Sequence, residues 1–309
     1  MMSRFTTIAM LGAALVSAQA FGADPVPVPN ANQAGPGTVN YVEGAAFLNG
    51  RPLQRQDVGR ADLNPGEELS TEAGKAEILL TPGVFLRVDS NSGVKMISPD
   101  LTNTQVEVVK GRAAVEVDQL FPQNNLEIVD GGVSTQLQKP GFYEFNATQP
   151  TALVFKGKAA VNEGDGRYKE IKEHHEMTLA ANVEAKSINF DPRNAEDQFY
   201  NWSSLRSEYL AEANNQIAPE YAGAEGFYPG WYWDPYMWDY TFIGLGPYWS
   251  PFGFGFYPPW GWYGGYWGGR GFYGRGFYGG GSRDGGFHGG GFGGGGFHGG
   301  GGFGGGGRR

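Results

Sequence analysis

The chain contains no cysteine, so no disulfide can staple it and no thiolate can act as nucleophile or metal ligand. Histidine is nearly as scarce. Its four copies stand at 174, 175, 288 and 298. His174 and His175 are neighbours that a strand would point to opposite faces, so one site cannot easily use both, and they read as a solvated strand edge or turn. His288 and His298 lie in Gly-rich tail and make a poor pair of ligands for a transition metal. No His-Glu-x-x-His, Gly-x-Ser-x-Gly or Gly-Lys-Ser/Thr motif occurs, which removes the usual signatures of zinc proteases, serine hydrolases and phosphate loops. The acidic pairs Glu67/Glu68 and Glu170/Glu173 read as exposed charge. No catalytic residue, no cofactor site and no metal site is expected, and the chain reads as a non-enzyme. After its first residues it also lacks any run of about 18 apolar residues, which argues against a further membrane span.

The N-terminus is organised differently. Met1-Met2-Ser3-Arg4 is a short basic start, Ile8 to Val16 is an apolar stretch too short for a mature span, and Ala18-Gln19-Ala20 and Ala20-Phe21-Gly22 are small-residue cleavage sites. Residues 1–22 therefore read as an export signal, which places the mature chain in the periplasm or at the cell surface. The alternative reading is a retained N-terminal anchor. The net charge of −9 is uneven: five Arg and one Asp between Gly264 and Arg309 give +4, which leaves −13 for the rest. An acidic body argues against nucleic acid as a partner.

Residues 23–38, rich in Pro, Asn and Gly, read as an extended linker. Residues 39–190 alternate apolar and polar positions. Ala76, Ile78 and Leu80 alternate with Glu77 and Thr81, and Ala113, Val115 and Val117 alternate with Glu116 and Asp118. That is the pattern of strands with one face on a core and the other in water. Three Gly-basic-Ala steps open such runs, at Gly74-Lys75-Ala76, Gly111-Arg112-Ala113 and Gly157-Lys158-Ala159. The alanine suits a close-packed layer and the Lys or Arg a solvated face. The unequal spacing of the steps predicts an irregular two-sheet roll, or a solenoid-like stack, of short strands in a mainly β fold. An echo between Pro82–Val88 and Pro140–Phe145 suggests internal duplication.

Residues 191–217 change period. Asp191-Pro192 is a helix start, and Phe199, Trp202, Leu205, Tyr209 and Ala213 form an apolar stripe for one amphipathic helix. Residues 218–267 form an aromatic, Pro- and Gly-rich segment holding seven of the eight tryptophans. Residues 268–309 are a low-complexity Gly-rich tail, and the aromatic and Gly-rich stretch together reads as a disordered tail. Within the aromatic belt, Trp231, Tyr232, Trp233, Tyr236, Trp238 and Tyr240 are the candidate binding residues, by stacking on sugar rings. The competing reading is a wrap that covers the β body or mediates self-association.

Residues 63–117 resemble the FecR-domain family. The stretch Leu63-Asn64-Pro65-Gly66-Glu67, then Thr71-Glu72-Ala73-Gly74-Lys75-Ala76, then Pro82-Gly83-Val84-Phe85-Leu86-Arg87-Val88 is similar to the family's entry, Gly-small-Ala step and strand return. The later steps at Gly111 and Gly157 resemble further returns. The resemblance covers about half the chain and is nearest to exported FecR-domain proteins such as those of acidobacteria. It implies a periplasmic protein-binding module of residues 39–190. The family's sigma-factor regulators carry a cytoplasmic region and a membrane helix where this chain has a cleavable-looking signal. The resulting expectation is an exported envelope protein whose β domain serves protein interaction or sensing, with envelope proteins as partners. The alternative is a glycan- or peptidoglycan-binding surface protein.

Overall fold

Short alternating runs separated by Gly- and Pro-containing turns become strands, as period-2 patterning dictates. A computed structural model describes residues 34–164, 166–180, 186–222 and 227–262. The expected export signal (1–22), most of the linker (23–38) and the Gly-rich tail (268–309) lie outside the described residues. The β body comprises β1 (Val39–Leu48), β2 (Arg51–Pro52), β3 (Glu68–Leu79), β4 (Val84–Val88), β5 (Gly93–Asp100), β6 (Asn103–Lys110), β7 (Arg112–Val117), β8 (Leu126–Asp130), β9 (Val133–Leu137), β10 (Gly141–Asn146), β11 (Thr151–Lys156), β12 (Lys158–Asn162), β13 (Tyr168–Lys172), β14 (His175–Thr178) and β15 (Ser187–Asn189). Then come the short α1 (Pro192–Ala195), the long α2 (Gln198–Ile217), and two hairpins, β16 (Gly230–Asp234) with β17 (Asp239–Ile243) and β18 (Tyr248–Trp249) with β19 (Gly255–Phe256). No described helix is long and apolar enough to cross a membrane.

Strands β1 to β15 join in one sheet, in the order β13-β12-β9-β8-β6-β5-β3-β4-β7-β10-β11-β14-β15, with β1 and β2 attached at β3. Every pairing is antiparallel except β6 with β8. The sheet folds over on itself. Val94, Val106, Ile128 and Val161 from one half and Ile78, Leu86, Val115, Tyr143 and Val154 from the other belong to a single buried core. The expected mainly β roll is therefore present, built from one curled sheet.

The sequence echo has a structural counterpart. β4 and β10 flank β7 on either side, and Phe85 and Phe142 both register with Glu116. Leu86 and Tyr143 then point into the core together with Val88 and Phe145. The Gly-basic-Ala steps also fall where little space exists. A Cβ on Gly74 would clash with the Glu43 carbonyl oxygen, and one on Gly157, at φ +103, with Tyr143 Oη. Ala76, Ala113 and Ala159 are buried, as expected. The basic residues are partly solvated, and each also meets a carboxylate: Lys75 meets Asp89, Arg112 three acids, and Lys158 Glu170.

A larger departure concerns the polar positions of the strands. Glu77, Thr81, Glu116 and Asp118 do not face water but are buried. β4, β7 and β10 are covered on both faces, the outer one by α2 and the aromatic hairpins. Leu79 and Phe85 pack there with Leu210, Trp231, Phe242 and Phe256. The fold thus has three layers where sequence patterning predicts two. Burial of those carboxylates is sustainable only because partners come with the cover.

The helix expected over 191–217 forms in two pieces, with its stripe displaced. Phe199 and Ala213 are buried, but Leu205 and Tyr209 are exposed at 44% and 41%. The face turned inward instead carries Ser203, Arg206, Ser207, Leu210 and Asn214. The apolar stripe misleads because the surface beneath the helix is charged, so polar residues match it better. Leu205→Ala and Tyr209→Ala are therefore expected to shift stability by no more than about 0.5 kcal/mol. Ser207→Ala, which strips a 2.6 Å hydrogen bond from buried Glu116, should cost about 1–3 kcal/mol. Urea denaturation of the three variants checks the assignment, and equal effects at 205 and 207 would refute it.

Of the expectations for the aromatic segment, the wrap over the β body is the one that its described part follows, and not a disordered tail. Residues 227–262 fold into the two hairpins, because their rings find apolar partners on Phe85 and α2. The hairpin β16–β17 shares no main-chain ladder with the large sheet. Two asparagines, Asn40 of β1 and Asn214 of α2, hold the backbone of the aromatic segment instead. Asn40 donates to the Tyr240 carbonyl (3.0 Å) and accepts from the Tyr240 amide (2.7 Å). Asn214 donates to the Phe242 and Tyr257 carbonyls (3.0 and 3.2 Å) and accepts from the Tyr257 amide (2.7 Å). Each amide side chain stands in for a missing strand neighbour.

Candidate functional site

Where α2 begins, three chain segments meet the outer face of the sheet. Asp191 caps α1, accepting from the Arg193 amide (3.1 Å), with Pro192 at the first helical position. Asp197 caps α2, accepting from the amides of Phe199 (2.9 Å) and Tyr200 (3.1 Å). The other Asp197 oxygen accepts from Arg112 Nη1 at 2.6 Å, which ties the helix start to β7. This geometry sends Phe199 inward and sets Tyr200 beside Phe142 and Phe155, at ring separations of 5.5 and 5.0 Å. Phe252, from the turn between β18 and β19, closes the group at 4.8 Å from Phe142 and 5.3 Å from Tyr200.

Beside these rings lies a cleft of about 270 Å³. The four rings line it, Lys156, Glu173 and Glu196 bring charge to its wall, and the His174 ring lies beside them. Lys156 is steered by a 3.4 Å hydrogen bond to the Pro251 carbonyl. His174 occupies the left-handed region at φ +60 in the β13–β14 turn, a conformation histidine adopts more readily than most residues. His174 belongs to the turn and lines the cleft, while His175 opens β14 and its Nδ1 lies 2.8 Å from the Glu173 carbonyl oxygen. Burial, with the nearby Glu196 charge adding to it, pushes the Tyr200 phenol up to about 12, so it stays protonated at neutral pH.

Beneath the cleft, Arg112 serves three carboxylates: Asp89 at 2.7 Å, Asp197 at 2.6 Å and Glu144 at 3.1 Å. Glu144 is the most buried and the most distant. Burial outweighs Arg112 there and pushes its pKa up to about 7, with Asp197 and Asp89 adding repulsion.

A second, fully buried cluster welds the cover to the sheet. Arg87 donates from Nε to Glu77 (2.9 Å) and forms an ion pair with Glu116 through Nη1. Arg206 of α2 reaches Glu77 (3.0 Å) and Asp239 of β17 (2.9 Å), with its guanidinium 4.1 Å from the Tyr41 ring centre. Asn40 adds a 3.0 Å bond to Glu77. Burial works against the Glu77 carboxylate, but Arg206 and Arg87 outweigh it and hold its pKa below the usual range. Asp118 has no such partner. Burial and neighbouring Glu116 drive its pKa well above the usual range. Asp239 is pushed up by burial to about 6 despite Arg206. The chemistry of this cluster is adhesion between layers, since its members are closed to solvent. Among the described residues no group of three or more His, Asp or Glu is placed to hold a metal ion.

The six belt residues are divided by the fold. Trp231, Tyr232 and Tyr240 are buried at 3%, 4% and 6% exposure. Trp231 packs edge-on against Phe85 (5.1 Å), and the Tyr232 hydroxyl donates to the Tyr228 carbonyl (2.6 Å). Their ring faces are taken up by the protein, so stacking on a ligand does not fit these three. Trp233 is half-buried between Tyr240 and Trp238. Tyr236 and Trp238 project from the β16–β17 turn, at 77% and 38% exposure. Trp238 sits at φ +63, a strained setting for so bulky a side chain. Sequence reasoning missed the cleft residues Phe142, Phe155, Tyr200 and Phe252 and the buried Arg87, Arg206 and Asp239. One signal was available: Arg87 interrupts the apolar run Val84-Phe85-Leu86-Arg87-Val88, and a lone Arg inside such a run points to a buried partner.

No family model and no curated protein matches the chain. Among solved structures, two crystal structures of a Parabacteroides distasonis protein provisionally assigned as an anti-sigma factor are similar in part, at 1.65 and 2.50 Å resolution. Both are 15% identical, with TM-scores of 0.35 and 0.36, and the alignment covers 41% of this chain. It spans 62% of the neighbour's length.

Proposed function

We propose that the protein is an exported, non-enzymatic component of the cell envelope whose β body, of the kind the FecR-domain resemblance implies, is a protein-interaction or sensory module. The observation that carries this reading is the aromatic cleft at the start of α2, a concave site with a charged wall. A pocket lined by rings is the usual seat of a partner's anchoring residue. The nearby ion clusters contribute positioning, since Arg112 fixes the helix end that supplies Tyr200.

Two measurements test the reading. Fractionation of native cells should place the full-length protein in the envelope and a variant lacking residues 1–22 in the cytoplasm. Affinity capture with the full chain should recover a defined envelope protein, and Tyr200→Ala should weaken that recovery. Cytoplasmic localisation of the intact chain would overturn the reading, as would a measured turnover abolished by mutating a compact polar cluster. A second reading rests on Tyr236 and Trp238, whose exposure and strained setting favour a glycan-binding tip. Retention of the full chain on cell-wall polysaccharide, lost in the Tyr236→Ala/Trp238→Ala double variant, would favour it.

A further inference from the structure

The cleft has a recognisable charge balance. Its wall carries two carboxylates, Glu173 and Glu196, against one ammonium, Lys156. Lys156 leans on the Pro251 carbonyl, while the group 3.7 Å from Glu173 is the His174 ring. Arg193, three residues before Glu196, is committed to Asp191 through two bonds of 3.1 and 2.9 Å. Among the described residues Glu196 forms no salt bridge. Two carboxylates against one ammonium leave one carboxylate in excess beside the aromatic rings. Phe142 and Phe155 are buried beneath, while the half-buried rings of Tyr200 and Phe252, with the carboxylates beside them, attract one class of group, a cation with an apolar stem. The volume of about 270 Å³ falls below the roughly 300–1,000 Å³ of clefts that hold whole drug-sized molecules. One side chain suits it better than a free metabolite.

We propose that the cleft receives the basic side chain of a partner polypeptide, an arginine or lysine, with its stem along Tyr200 and Phe252 and its charge between Glu173 and Glu196. This rests on the interaction reading above and names the chemistry of the residue recognised. An arginine is the better fit, because a guanidinium stacks on a ring and meets carboxylates at its edge together.

The test uses the full-length protein and three fluorescently labelled pentapeptides that differ only at the central residue: arginine, norleucine or glutamate. Fluorescence anisotropy should show the arginine peptide binding about tenfold tighter than the norleucine peptide, with the glutamate peptide weakest. The double variant Glu173→Gln/Glu196→Gln changes exposed side chains, so it should fold normally and remove the preference. Tyr200→Leu should weaken the arginine and norleucine peptides together. Glu212→Gln, on the solvent face of α2, should change nothing. Equal affinities for the three peptides, no binding of the arginine peptide, or a preference that survives the double variant would each overturn the proposal. The outcome is separable from that of the interaction reading. If the double variant still captures the same envelope protein as the wild type, the ligand class fails and the module reading stands.

Discussion

Arg87→Met is expected to cost the fold about 3–5 kcal/mol, a large share of the roughly 5–15 kcal/mol that holds a typical domain together. The side chains of Arg87 and Glu77 are wholly buried, as is that of Glu116. Removing the guanidinium leaves Glu116 beside Asp118 with Ser207 as a donor but no cation to balance its charge. Desolvation of an unpaired carboxylate then exceeds anything the added methionine packing supplies. Glu77 suffers less, since Arg206 and Asn40 still reach it. If the single variant fails to fold, a second keeps the idea open to refutation. Arg87→Met/Glu116→Gln removes one charge of each sign and should recover at least half of the loss. Equilibrium urea denaturation decides. A loss below about 1 kcal/mol for Arg87→Met, or no recovery in the double variant, would show that the cluster does not carry the layers.

Stability should fall as pH rises from 5.5 to 8. Glu144 and Asp239 have folded pKa values pushed up to about 7 and about 6, above the value of about 4 that each has in an unfolded chain. The folded state therefore binds their protons more tightly. Their contribution is fully present below about pH 4 and is lost as pH climbs through 6 and 7. Asp118, raised by burial and Glu116, acts in the same direction. Glu77, and Asp197 at the start of α2, are held low by their arginines and backbone donors against the pull of burial. Their contribution is present above pH 4 and lost only on strong acidification, so they do not shape the neutral range. For Glu144 alone the pH-dependent part is on the order of 3 kcal/mol. Denaturation midpoints at pH 5.5, 6.5, 7.5 and 8 should decline in that order, and Glu144→Gln should flatten the slope. Stability that is level or rising with pH would contradict the account.

The strands, their turns and the inward-facing half of the sheet could be read from periodicity. Ala76, Ile78, Val115 and Val117 alternate and do reach the core. The outward half could not, because Glu77 and Glu116 look like solvated positions to any rule that scores one strand at a time. The partners that make their burial tolerable lie far off in sequence: Arg206 reaches Glu77 and Ser207 reaches Glu116. The helix register was lost for the same reason. Leu205 and Tyr209 carry the apolar signal, yet the charged layer beneath selects Ser207 and Arg206. Of the candidate site, the aromatic belt drew the eye through composition, but composition does not separate a ring that fills a core, as Trp231 does, from one that meets solvent, as Tyr236 does. The cleft joins Phe142, Phe155, Tyr200 and Phe252, which no local pattern connects.

The amide side chains of Asn40 and Asn214 hydrogen-bond the aromatic segment through its main chain, at Tyr240, Phe242 and Tyr257. That attachment is blind to which side chains the cover carries. A lineage can exchange one aromatic residue for another at the exposed tip, and so alter what the tip meets, while the two asparagines go on holding the same backbone. Variation in surface chemistry is thereby separated from retention of the third layer, and the two can drift at different rates.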